Sequence, residues 1–195
     1  MGTQALIDEL QATIQRQLAR CEELRHVPIA LLRQRPDPKR WSVLEVIEHM
    51  NLSGRVYFRG LQKVFADQRS GLRYAAEFQP GRWGDLFTKG LQPGSNGKIS
   101  WKMRTMGMFE PRTAHTKGLA SLDEFETMLR GSMELLDQAR SRGLDGAKVT
   151  STLGPILRFK VGDAFRFPLA HQERHMLQIE RTLAAVSAEV GSDLN

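Results

Sequence analysis

Two of the chain's five histidines, His171 and His175, stand four residues apart in the stretch LAHQERHMLQIERTL, which otherwise reads as helix. On a helix that spacing puts both imidazoles on one face, about 6 Å apart along the axis. Two imidazoles so placed can share a metal ion. His175 falls within the apolar stripe of Pro168, Met176, Ile179, Leu183 and Val186, and His171 falls at its edge. Both point toward an interior, where an imidazole without a partner is costly. The zincin motif is excluded, because Gln172 stands where H-E-x-x-H needs its general base, and Glu173 is rotated away. Two ligands alone make a weak site, since zinc takes three or four. The third candidate is His49, in WSVLEVIEHMN, on the shoulder of another helix's apolar face. His26 lies at a helix end and His115 in the basic loop EPRTAHTKG, and both read as solvent-facing. His49, His171 and His175 together would leave open positions at the ion, as Lewis-acid chemistry requires. The bland alternative is that H-x-x-x-H pairs are common on helices and that His49 is an ordinary hydrogen-bonded histidine.

Four long helices would have to carry these residues. The first spans roughly residues 3–27, with Leu6, Leu10, Ile14, Leu18 and Cys21 stepping by three or four. Pro36 and Pro38 break the chain. Ser42 and Glu45 form a capping box that opens a second helix, with Trp41 placed to staple its first turn. That helix runs to about residue 68 and keeps Val43, Ile47, Met50, Tyr57, Leu61 and Phe65 on one face. Ser121 and Glu124 suggest a second capping box, and Gly143 a stop. After a short extended piece near residues 157–161, Asp163 can cap a fourth helix reaching about residue 190, with Pro168 at a kink or in its first turn. The expected architecture is all-α: one domain, 1–195, built as a four-helix bundle with a long irregular insertion, 70–120, between helices 2 and 3.

Composition limits the function classes. The chain is 41% hydrophobic and 26% charged, which is ordinary for a globular protein large enough to bury a core. No apolar run approaches the roughly 18 residues of a membrane span. The opening MGTQALIDELQATIQ enters a helical pattern at once and does not read as a signal peptide. Cys21 is the only cysteine, so no internal disulfide can form, and a cytoplasmic location is the default. Lying on the first helix's apolar stripe, Cys21 reads as core.

The sequence resembles the DinB superfamily over its whole helical frame. Trp41, Ser42, Glu45 and His49 match that family's W-S-x-x-E-x-x-x-H pattern, and His171 with His175 matches its H-x-x-x-H pattern. The resemblance implies that these three histidines bind a divalent metal, zinc or nickel. It implies either a hydrolase or a transferase that uses a low-molecular-weight thiol such as bacillithiol or mycothiol. It also implies pairing as a homodimer. It fixes a fold and a metal site but no reaction. The alternative class is a non-catalytic metal-binding or stress-response bundle.

The insertion departs from the compact members of that family. Residues 70–120 hold eight basic residues (Arg73, Arg82, Lys89, Lys98, Lys102, Arg104, Arg112 and Lys117) against Glu77, Asp85 and Glu110. Eight minus three is +5, most of the chain's net +6. Trp83, Phe87, Trp101 and Phe109 are interleaved among them. One reading is a lid that attracts a small anionic substrate and can be removed without unfolding the bundle. Another is a solvated loop anchored by its aromatics. A nucleic-acid surface is the least favoured, because no recognised binding motif accompanies the charge.

Overall fold

The computed structural model describes residues 1–94, 101, 105–111, 117–154 and 156–192, with side chains only as far as residue 188 in the last helix. His115, Lys98, Lys102, Arg104 and Arg112 lie outside the described residues. In chain order the elements are α1 (Thr3–Arg25), α2 (Ile29–Arg33), α3 (Val43–Ala66), α4 (Arg82–Leu91), a single 3₁₀ turn (Gly107–Phe109), α5 (Leu119–Arg142), β1 (Lys148–Thr150), β2 (Arg158–Lys160) and α6 (Val161–Ser192). The long helices α1, α3, α5 and α6 form a four-helix bundle in which α1 and α3 each pack on both α5 and α6. Leu6, Leu10, Ile14 and Cys21 of α1 face the six expected residues of α3 across one core, and all of them are buried. No helix among the described residues is long and apolar enough to cross a membrane.

Helix α3 starts as its capping box dictates. Ser42 Oγ accepts from Glu45 N at 3.3 Å, and Ser42 N donates to Glu45 Oε2 at 2.9 Å. Arg35 Nε also donates to Glu45, at 2.8 Å, which ties the proline-rich approach to the cap.

The other two expected caps are corrected. Helix α5 begins two residues before Ser121, after Gly118 at φ +64°. Ser121 lies inside the helix, where its hydroxyl donates to the buried Glu48 at 2.9 Å and accepts from Lys117 N. Helix α6 begins two residues before Asp163. The Asp163 carboxylate instead accepts from Gly81 N at 2.7 Å, so it caps the start of α4 from another helix. Arg166 bridges Asp163 and Asp85 at 2.9 Å each. A Cβ at Gly84 would sit 2.5 Å from Asp163 Cγ, so only glycine admits this approach. Pro168 lies inside α6, beyond its first turn.

The extended piece is half of an antiparallel hairpin. Val149 of β1 pairs with Phe159 of β2, and both point into the core. Gly60 of α3 lets β1 lie close, since a Cβ there would be 2.4 Å from Val149 Cγ1.

The first half of the insertion is structural, which corrects the expectation of a removable lid. Thr3 N donates to Ala76 O and Phe78 N to Met1 O, each at 2.9 Å. Arg73 N donates to Asp145 O at 3.0 Å. The Phe78 ring is fully buried against Gly162, and α4 packs along α6. Trp83, however, is 59% exposed and anchors nothing, although its ring stacks on Phe87.

Candidate metal centre

Helices α3 and α6 bring the three histidines together. His49 and His175 are buried and His171 is partly buried, in agreement with the stripe positions of the α6 pair. His171 Nε2 lies 3.3 Å from His49 Nε2 and 3.0 Å from His175 Nε2. One ligand atom from each residue fits within a 4.8 Å cluster.

The outer nitrogens fix the tautomers. His49 Nδ1 donates to the main-chain carbonyl of Phe109 at 2.8 Å. His175 Nδ1 donates to Gln178 Oε1 at 2.9 Å. Each of these neutral rings therefore presents a lone pair at Nε2. A neutral His171 can place at most one N–H between them, so at least one of the two short nitrogen contacts holds no proton. A cation at the centre resolves that repulsion. For metal–nitrogen bonds of about 2.0–2.1 Å, cis ligand nitrogens sit roughly 2.9–3.4 Å apart in octahedral or tetrahedral geometry. The separations of His171 from His49 and from His175 fall in that range.

Burial keeps all three rings neutral. It is the largest cause of the depressed pKa at His49 and holds His171 well below its ordinary value. His175 is pushed down to about 3, first by burial and then by the charge of His49. The Arg174 guanidinium lowers all three further. Neutral imidazole is the form that ligates.

Trp41 does more than staple the helix start. Its ring lies 5.1 Å from that of His49 and limits the imidazole's rotation. Phe167 stacks on His171 at 6.5 Å between centroids. Glu173 faces α1, where it accepts from Gln17 at 2.8 Å. Glu48 is engaged with Ser121. His26 sits at the exposed end of α1 beside Glu22, away from the cluster. Cys21 is buried with its thiol pushed up to about 12, first by burial and then by Glu126, so it is an inert core residue.

A cavity of about 360 Å³ opens beside the histidines. α4 and the segment after it supply Phe87, Leu91, Thr105, Met106 and Phe109 to its wall. The hairpin supplies Thr152 and Leu153, and α6 supplies Arg174. Tyr57 lies at its floor, its hydroxyl 2.9 Å from Ser151 Oγ and 3.1 Å from Thr152 Oγ1. Burial raises the Tyr57 pKa, so the phenol stays protonated near neutrality. The contributions of Phe109, Thr152 and Arg174 carried no motif. A main-chain carbonyl leaves no mark in a sequence, and the hairpin was too short to read.

The family model for the DinB superfamily matches residues 9–179. The chain belongs to the DinB superfamily. Among solved structures, this DinB chain is similar to YfiT from Bacillus subtilis, with a TM-score of 0.53 at 9% identity over 95% of this chain and 87% of that one. YfiT is described as "a probable metal-dependent hydrolase with an unusual four-helix bundle topology". At that identity the likeness concerns the fold. No curated protein sequence matches the chain.

Proposed function

We propose that this DinB protein is a metal-dependent enzyme of hydrolase type, with one divalent ion, zinc or nickel, held by His49, His171 and His175. The observation that carries the reading is the convergence of three Nε2 atoms at 3.0 and 3.3 Å with two outer nitrogens already hydrogen-bonded. When bound, such an ion supplies Lewis acidity that brings the pKa of water or a thiol toward neutrality. The chain's own residues hold and shield. Phe109 O and Trp41 orient His49, and Gln178 orients His175. Phe87, Leu91, Met106 and Phe167 give the cavity an apolar wall, and the neutral Tyr57 hydroxyl is held beside it by Ser151 and Thr152.

A second reading, transfer of a low-molecular-weight thiol, is favoured by the cavity lining, which among the described residues contains no carboxylate to act as general base. A thiol, with an ordinary pKa near ~8.5, needs less help than water. Elemental analysis of untagged protein tests the metal, with about one ion per chain expected. Assays of the loaded protein on p-nitrophenyl esters, with and without added thiol, separate the two reactions. Absence of metal, together with unchanged zinc and nickel titrations in His171→Ala/His175→Ala, would sink both.

A further inference from the structure

Among the described residues the cavity wall contains one cation, Arg174, and its setting differs from that of other arginines in the bundle. Arg166, two turns earlier on α6, is held by Asp163 and Asp85. Arg25, Arg35 and Arg55 each contact a carboxylate. Arg174 makes no ion pair among the described residues, and its one hydrogen bond runs from Nη1 to the Trp101 carbonyl.. A guanidinium has five N–H donors, so most of this fork is uncommitted. Around it the wall is largely apolar, with Phe87, Leu91, Met106, Phe109 and Phe167. A partly buried guanidinium in such a wall is costly to keep without an anion.

We infer that Arg174 is the specificity-determining residue of this cavity and that the substrate is a small organic anion with an apolar body, its carboxylate or similar oxyanion held by the Arg174 fork. The inference rests on reading the cavity as the substrate site of the metal centre. Arg174 is next to His175 in sequence, and Phe167 lies about 10 Å farther back along the α6 axis. The anionic end therefore binds beside the histidines, and the apolar body extends toward Phe167 and Tyr57. A planar fork suits a planar oxyanion, which it can grip through two parallel hydrogen bonds.

The test uses 4-phenylbutyrate and its neutral analogue 4-phenylbutanamide, titrated by calorimetry into the full chain with zinc and after zinc removal. The acid should bind about tenfold or more tighter than the amide in both forms. Arg174→Gln should bring the two probes to parity, and Arg174→Lys should keep part of the preference. A merely structural Arg174 would weaken both probes together and leave their ratio unchanged, which would overturn the proposal. So would a preference retained in Arg174→Gln, or no binding of either probe at millimolar concentration. Zinc content, measured on the same samples, reports separately on the metal reading. An Arg174-dependent preference in protein that takes up no zinc would leave this inference standing and remove that one.

Discussion

The carbonyl of Phe109 accepts a hydrogen bond from His49 Nδ1 at 2.8 Å, across sixty residues of chain. The insertion that separates α3 from α5 thus returns to the histidine cluster and fixes the orientation of one of its rings. Groups that hold a ligating histidine by its second nitrogen usually raise metal affinity, and losing one typically costs 10–100-fold.

The Trp41 ring contacts the same imidazole. Trp41→Ala should weaken zinc affinity by about tenfold while the helical circular dichroism stays near wild type. Calorimetric titration of the metal-free protein measures this. An affinity equal to wild type would show that the ring contact does not restrain His49.

Metal binding should weaken as pH falls, because protons compete for the same nitrogens. Because burial holds all three folded pKa values below the ordinary value, His175 at about 3, measured zinc affinity should change little from pH 7.5 to about 6 and fall only in more acidic solution. His26→Gln should leave the profile unchanged, since His26 is exposed and not part of the cluster. A steep loss of affinity already between pH 7.5 and 6.5 would show that protons reach the rings at the ordinary histidine pKa, contrary to their burial.

The metal-free protein should itself lose stability in acid. All three folded pKa values lie below the free value of about 6.5. Below that pH the unfolded chain takes up protons that the folded form refuses, so the unfolded state gains. The stabilisation is complete above about 6.5 and drains away toward the folded value, about 3 for His175. Melting temperatures of chelator-treated protein from pH 7.5 to 5 should fall more steeply than those of a triple His→Gln variant. Parallel slopes would assign the acid sensitivity elsewhere.

Phe78→Ala should destabilise the fold by about 3–5 kcal/mol, the usual cost of removing a fully buried aromatic ring. Urea denaturation with an unchanged m-value checks this. A cost below about 1 kcal/mol would return residues 71–91 to the role of a removable appendage.

The bundle and the cluster were legible because both rest on periodicity. Leu6, Leu10 and Ile14 repeat at helical spacing, and His171 with His175 shares that period. The Ser42–Glu45 box was legible because its two partners are three residues apart. Ser121 and Asp163 misled for the same reason. Their local patterns fit a cap, but Glu48 and Gly81, distant in sequence, took their hydrogen-bonding capacity. The structural role of Phe78 was invisible, because nothing around it repeats and its partner Gly162 is far along the chain.

Asp163 caps α4 from α6, and this constrains how a molecule can reach the histidines. A helix of ten residues is marginal in water by itself. With its first turn fixed by a carboxylate on the helix that also bears His171 and His175, α4 cannot swing away as a separate flap. Phe87 and Leu91 are therefore fixed parts of the cavity wall, whereas Thr105, Met106 and Phe109 belong to none of the long helices. Because Phe109 also orients His49, any displacement of that stretch would loosen one imidazole. Amide exchange should accordingly be slow along α4 and fast in the Gly107–Phe109 turn, with bound zinc slowing the turn alone.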